Sequence, residues 1–386
     1  MAPVNVVIVG AGIAGLVVAH SLLQGAPNVK ITLINPSQTF YWNIASPRIV
    51  AKPKAFRPEQ YLLPIKDSFA QYPTDAFEFV LGTATAINVS AKTVAVTLNG
   101  SGDSKNISYD HLVIASGSTN PSTTGAVTGI SIPFKPSNRD DMKQLVAAAQ
   151  EQIAGAKEIV IGGAGPVGVE LAGELAESLG KKATVSLISS AERVLPMIKA
   201  SGSSVGEKKL KEKGVKIITS AKVTGAEKST DGTKAWTVSL DNGKKLSADL
   251  YIPTTGAIPN NSFIPAQFLD SNGWVKVNKE LRVQSPGSSA LPIYAVGDVN
   301  TNDMRLSFKA TEQAKVAVAN IMADILGKGE RKSYDQGDSI MMLVPVGETG
   351  GTGQLFGMTP FSFLVKFVKG KDYFVSKAPQ YVVGKA

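Results

Sequence analysis

Val4-Asn5-Val6-Val7-Ile8-Val9 runs directly into Gly10-Ala11-Gly12-Ile13-Ala14-Gly15, and an apolar helical pattern follows from Leu16. A β-strand, a G-x-G-x-x-G turn and a helix in that order are the setting in which this motif binds a dinucleotide. The first glycine permits the tight turn, the second lets the backbone approach a pyrophosphate, and the third lets helix and strand pack closely. The helix N-terminus then turns its unsatisfied N–H groups and positive dipole end toward the phosphates. Gly10, Gly12, Ile13, Ala14 and Gly15 are therefore candidate cofactor contacts.

A second copy makes the reading specific. Glu158-Ile159-Val160-Ile161-Gly162 leads into Gly163-Ala164-Gly165-Pro166-Val167-Gly168, again with a helical pattern behind it from Val169. Gly163, Gly165, Pro166, Val167 and Gly168 join the candidate set, and two fingerprints imply two dinucleotide sites.

Composition narrows the chemistry. The chain has 386 residues, enough for two or three domains, with 43% hydrophobic and 18% charged residues. It contains no cysteine, which removes disulfides, thiolate metal sites, Fe–S clusters and dithiol chemistry together. Its two histidines, His20 and His111, have no partner at motif spacing, so each reads as structural and no metal site is expected. A formal charge of +9 favours anionic partners, from phosphorylated cofactors to lipid surfaces, with nucleic acid bound non-specifically at most. The run Glu207 to Lys213 reads as a solvated helix of mixed charge. No apolar run reaches transmembrane length, and the apolar N-terminus is the fingerprint strand, not a signal peptide.

Further site candidates fall at strand ends. The strand Val29 to Ile34 closes on Asn35-Pro36, where an acidic residue ordinarily bonds the adenosine ribose; an amide can also bond a hydroxyl. The loop Phe40 to Arg48 is aromatic and either lines a flat ring system, with Arg48 beside it, or packs over the sheet. Ala84 lies at the end of the strand pattern Phe77 to Ala84. His111 to Ile114 ends in Ala115-Ser116-Gly117, small enough for backbone to pass close to a cofactor, and Leu250 to Gly256 repeats that design. The Ser, Thr, Pro and Gly-rich stretch from Thr119 to Gly129 marks a crossover between domains. Beyond the second fingerprint, the strand Ala183 to Ile188 ends at Ser189-Ser190 with Arg193 following; without an acid to repel a 2′-phosphate, NADPH is open as well as NADH. Tyr294 to Asp298 is a strand feeding Gly297-Asp298, where the aspartate either bonds a ribityl chain or caps a helix. Lys309 and Ala310 complete the expected lining ahead of a helix over Glu312 to Leu326.

From about Ser333 the chain changes character. In Thr359 to Lys369 only Ser362, Lys366 and Lys369, spaced i, i+4 and i+7, are polar on a helix. Such a segment packs on the body, roofs an apolar channel, forms a dimer surface or lies on a membrane.

These pieces resemble the two-dinucleotide-binding flavoproteins of the apoptosis-inducing-factor group. The resemblance rests on Gly10 to Gly15, Asn43 to Arg48, His111 to Thr119, Gly163 to Glu174, Tyr294 to Asp298, Ala317 to Ile321 and the tail from Gly353 to Ser376, nearly the whole chain. It implies an α/β fold of two Rossmann-like domains in the FAD/NAD(P)-binding, glutathione-reductase-like arrangement, with a small C-terminal α+β region. The expected division is an FAD-binding domain from residues 1–122 and 257–332, an NAD(P)H-binding domain over 123–256, and a C-terminal region over 333–386 covering the acceptor site. The resemblance further implies FAD at the first site, NADH or NADPH at the second, and a quinone such as ubiquinone as acceptor. By the same resemblance Asp298 binds the flavin ribityl chain, Glu170 sits at the flavin–nicotinamide junction, and Lys369 is a functional C-terminal lysine; Glu170 and Lys369 are the catalytic candidates. Asn35 departs from the group's acidic residue, and Met1-Ala2 lacks the glycine that N-myristoylation requires.

Rival readings are a type II NADH dehydrogenase-like enzyme, an oxidase using oxygen, and a redox-sensing, nucleic-acid-binding flavoprotein. The first generally uses a glutamine pair near its quinone, and Glu312-Gln313 offers a single glutamine. A monomer or homodimer is expected, in the cytoplasm, peripheral to a membrane through the C-terminal region, or associated with mitochondria.

Overall fold

The apolar run before the first glycine turn forms strand β1 (Val4–Val9), buried from Val6 onward, and feeds helix α1 (Ile13–Gly25) and strand β2 (Val29–Asn35). The computed structural model describes residues 2–229, 235–285, 287 and 290–385. After a short helix α2 (Ser46–Ala51), the strands β3 (Phe77–Asn88), β4 (Thr93–Leu98) and β5 (Ser104–Ser108) form an antiparallel meander, and β6 (His111–Ile114) returns beside β1.

The second unit begins with α3 (Met142–Gly155), β7 (Glu158–Gly162), α4 (Pro166–Leu179) and β8 (Thr184–Ile188). It continues through α5 (Ala200–Glu212) and β9 (Lys216–Ile218), then a three-stranded meander of β10 (Val223–Lys228), β11 (Trp236–Leu240) and β12 (Lys245–Ala248), and ends in β13 (Leu250–Pro253). The chain then goes back to the first sheet with β14 (Ile293–Ala295) and α6 (Ser307–Leu326), a helix that starts one turn earlier than its apolar pattern suggests. The first sheet is ordered β14-β6-β1-β2-β3-β4-β5 and the second β9-β8-β7-β13.

The two units repeat each other bond for bond. Gly10 N–H donates to Ile34 O at 2.8 Å, and Gly163 N–H to Ile188 O at 3.0 Å. Both glycines have φ above +100°, which a side chain would strain. A Cβ on Gly15 would lie 1.9 Å from Gly10 O, and one on Gly168 1.9 Å from Gly163 O, so each helix starts closer to its own turn than any side chain allows.

The tail fastens to both units. The hairpin β15 (Met342–Pro345) and β16 (Gly351–Gln354) lies on the second unit, where Thr352 Oγ1 donates to Gly202 O on α5 at 2.6 Å and Gly173 of α4 meets Val346. Farther on, Trp42 Nε1 donates to Tyr373 O and His20 Nε2 to Val382 O, tying the last residues to the first unit. His20 also stacks on Phe69 at 4.1 Å, and burial holds its pKa below the usual histidine range. Both contacts match a structural role for His20.

Gly15→Ala and Gly168→Ala are each expected to lower stability by about 2 kcal/mol or more through overpacking, whereas Gly12→Ala, whose Cβ would meet nothing within 4 Å, stays within about 0.5 kcal/mol of the parent. Urea titrations of the three variants check this.

Candidate functional site

One large cavity, about 750 Å³, opens between the two units. The first fingerprint contributes Gly10, Gly12, Ile13 and Ala14, and the adjoining strand ends contribute Asn35, Pro36, Ala84, Ala115, Ser116 and Gly117. Pro166, Val167 and Glu170 enter from the start of α4, with Gly256, Gly297, Asp298, Ala310 and Lys369 from later in the chain. The remaining candidates do not line it: Gly15, Gly163, Gly165 and Gly168 build the turns behind it, while Arg48, Ser189, Arg193 and Lys309 point elsewhere.

The cavity end at α1 suits an anionic, extended ligand. No side chain caps α1, its first turn carries no acidic residue, and Gly12 presents bare backbone where a Cβ would project into open space. Asn35 keeps its amide for the protein: Oδ1 accepts from Ala11 N–H at 3.0 Å and Nδ2 donates to Ser37 O at 2.7 Å, bracing the fingerprint turn. An acid is nevertheless present nearby. Asp140 accepts from Ser37 Oγ (2.8 Å) and from the backbone and side chain of Gln38. Burial works upward on this carboxyl, and those hydrogen bonds outweigh it and hold the pKa below the ordinary value. Sequence spacing could not find Asp140, which lies across the crossover from the strand it completes.

Asp298 sits in a 3₁₀ turn, Gly297–Val299, ahead of α6, so it caps no α-helix. Its Oδ2 accepts from Lys135 Nζ at 2.6 Å and from Ser118 Oγ at 3.1 Å. Burial pushes the carboxyl up, but Lys135, Ser118 and Arg305 together hold it below the usual range. Lys135 lines the cavity too, and sequence reading missed it because no local pattern sets it apart. Gln313 is buried, its Oε1 accepting from Gly297 N–H and Asn300 Nδ2, so it supports the Asp298 turn.

At the junction of the units, Glu170 and Lys369 meet. Lys369 Nζ donates to Glu170 Oε1 at 2.7 Å and to Leu343 O at 3.1 Å. Burial raises the Glu170 pKa and Glu174 adds to the rise, against the opposing pull of Lys369 and Arg48. One turn along α4, Glu174 is fully buried and pairs with Arg48 through two bonds, 2.7 and 3.1 Å, while Lys52 approaches at 3.1 Å and Tyr373 Oη donates at 3.1 Å. Arg48 also donates to Gly370 O and Lys371 O. Its place is a buried brace between α2, α4 and the tail, and the expectation that it sits beside phosphate or flavin is corrected accordingly.

In the second fingerprint, a Cβ built on Gly165 would meet only the end of Met197, 3.8 Å away. Ser189 Oγ donates to Arg193 O, and Arg193 Nη2 donates to Pro196 O and Ile198 O, so these two candidates brace the loop after β8 with the groups expected to reach a nucleotide. Lys309 pairs with Glu312 at 2.9 Å.

The model of the pyridine nucleotide-disulphide oxidoreductases matches residues 4–320. The chain belongs to that family. FAD and NAD(P)H are its cofactors, and the chain is an FAD-dependent NAD(P)H oxidoreductase. The bare Gly12 backbone and the uncapped start of α1 fit the pyrophosphate of such a dinucleotide. This oxidoreductase is 38% identical over 98% of its length to Oxidoreductase ptaL of Pestalotiopsis fici, covering 99% of that protein. It is 28% identical to ferroptosis suppressor protein 1 of Xenopus tropicalis, over 97% of this chain and 95% of that one, in keeping with the apoptosis-inducing-factor-like resemblance. Among solved structures, sulfide:quinone oxidoreductase of Aquifex aeolicus superposes with a TM-score of 0.75 at 22% identity, covering 98% of this chain and 92% of that one.

Arg48→Met leaves Glu174 buried without its bidentate partner and is expected to cost about 3 kcal/mol, read as a lowered urea midpoint. Because folding raises the Glu170 pKa, its protonated form is favoured, and that contribution is present below the unfolded value and lost as pH rises through the folded one. The stability of Glu170→Gln relative to the parent is therefore expected to increase as pH rises above the ordinary carboxyl value of 4.5, measured by urea midpoints at each pH.

Proposed function

We propose that this oxidoreductase takes a hydride from NAD(P)H and delivers electrons to a quinone-like acceptor, with FAD in the 750 Å³ cavity and the nicotinamide nucleotide at the Gly163 turn. The observation that carries the reading is that one cavity is walled by both fingerprints and by the tail, with the Glu170 and Lys369 pair at the meeting point. When bound, FAD supplies the redox chemistry, accepting a hydride and releasing electrons singly or in pairs.

The protein's own groups then have distinct tasks. The α1 N-terminus and the bare backbone at Gly12 receive the pyrophosphate. Asp298, kept anionic by Lys135, accepts hydrogen bonds from ribityl hydroxyls. Pro166 and Val167 bring the second unit's helix onto the cavity, and Glu170, on the next turn, orients the nicotinamide. Lys369 Nζ, hydrogen-bonded to Glu170 Oε1 at the cavity wall, serves as a hydrogen-bond donor to the reduced acceptor. The chain has no cysteine, so electrons leave without a dithiol relay, and a small acceptor meeting the cavity directly is the consistent partner.

Purified protein is expected to be yellow, to bleach anaerobically on adding NADH or NADPH, and to be reoxidised faster by a ubiquinone analogue than by oxygen. Protein that stays oxidised under excess reduced nucleotide overturns the hydride route, and reoxidation by oxygen alone overturns the acceptor. Glu170→Gln should retain full flavin content while anaerobic bleaching slows about tenfold or more, followed by stopped-flow absorbance.

A further inference from the structure

The two glycine turns differ in what stands over them. A Cβ built on Gly12 meets nothing within 4 Å, whereas one built on Gly165 meets Met197 Cε at 3.8 Å. The middle glycine of such a turn is where backbone approaches a pyrophosphate, so the end of the Met197 side chain borders the phosphate approach of the second turn. The loop that carries Met197 is fastened to that turn. Leu195 N–H donates to Ala164 O, inside the fingerprint, at 2.8 Å, and Arg193 Nη2 holds Pro196 O and Ile198 O on either side of Met197. Leu195 and Ile198 are buried, and Met197 is 38% exposed. The backbone under Met197 is therefore set, and the movable part is its unbranched side chain.

Sulfur chemistry gives this position a consequence. The chain has no cysteine, so methionine thioethers are its oxidisable sulfur. Among the described residues Met197 and Met358 are the exposed methionines, and Met358 lies on the tail, outside the cavity lining. Oxidation turns an apolar thioether into a polar sulfoxide whose oxygen accepts hydrogen bonds. The start of α4 offers donors for that oxygen: no side chain caps the helix, and its first turn carries no acidic residue. A sulfoxide at Met197 is thus placed to compete for the N–H groups that would receive a phosphate, and it sets partial negative charge where the nucleotide brings its own.

We propose that Met197 is a modification site at which hydrogen peroxide closes the second turn to the nicotinamide nucleotide. In the step the peroxide O–O bond breaks, one oxygen joins the thioether sulfur, and the other leaves as water. Sulfur gives up the electron pair that peroxide gains. Peroxide formed when electrons reach oxygen then slows further hydride intake. This effect rests on the reading above that seats the nicotinamide nucleotide at the Gly163 turn.

The test exposes the flavin-loaded full chain to dilute hydrogen peroxide, removes the excess, and maps sulfoxides by peptide mass spectrometry. The dissociation constant for NADH and for NADPH is then read from the concentration dependence of anaerobic flavin bleaching. Conversion of Met197 is expected to raise that constant about tenfold or more, and methionine sulfoxide reductase with a thiol reductant should restore it. Met358→Leu should keep the full response, while Met197→Leu should give one constant before and after peroxide, whatever its value. Met197 left unoxidised under conditions that convert Met358 overturns the proposal, as does a converted Met197 with an unchanged constant. So does an equal loss of affinity in treated Met197→Leu, since the damage then lies elsewhere. Gly165→Leu fills the turn with no oxidation and tests the seating by itself. Unaltered bleaching of that untreated variant overturns the seating, whereas blocked bleaching there, beside a parent indifferent to peroxide, overturns the modification alone.

Discussion

The structure depends on a stripe of carboxylates along one helix. Glu170, Glu174 and Glu177 recur on α4 at helical spacing, and each meets a cation from another part of the chain. Glu170 pairs with Lys369 of the tail, Glu174 with Arg48 and Lys52 of the first unit, and Glu177 with Lys52 and with Lys213 at the end of α5. Taking such charges out of water is unfavourable, and only close pairing with further hydrogen bonds offsets it. Because the partners come from three regions, the stripe is satisfied only when both units and the tail are in place together. The relative placement of the two glycine turns, and hence the shape of the cavity between them, follows from that requirement.

The tail is accordingly part of the site's construction. Glycines at 173, 202 and 206 leave room on α4 and α5 for the β15 and β16 hairpin, whose backbone would meet a Cβ at 173 or 202 and whose Thr352 side chain would meet one at 206. From there the chain reaches the cavity at Lys369, is held by Arg48 at Gly370 and Lys371, and buries Tyr373 against Glu174. A segment that holds its polar groups inward has its apolar ones left over for the outside. The exposed rings are thus a consequence of how the catalytic candidate Lys369 is positioned, which links the cavity to the surface beside it.

Much of the fold is legible in the chain because its evidence is local. The two strand-turn-helix fingerprints need only neighbouring residues, and the structure reproduces them bond for bond at Gly10 and Gly163. The strand ends at Ala115-Ser116-Gly117 and Gly256 were readable for the same reason, since small residues after an apolar run permit close approach of backbone wherever the strand lies. Residues whose environment depends on distant partners were not readable. Arg48 in an aromatic loop looks like a cofactor contact until Glu174 is brought to it, and Lys135 has no local feature that announces Asp298. Periodicity groups Ser362, Lys366 and Lys369 into one polar stripe but cannot say which way it faces, and two of its three members face inward.

By itself the sequence determined the chemistry class: two turns of backbone shaped for pyrophosphate, and no thiol to compete with them. Those are properties of single residues and short spacings, which do not change with the rest of the fold. The tertiary structure decided which charges neutralise each other, that Glu170 and Lys369 form one pair at the junction, and that the aromatic side of the tail faces out. Burial and pairing are relations between segments nearly two hundred residues apart, as with Glu170 and Lys369, and no local pattern encodes them.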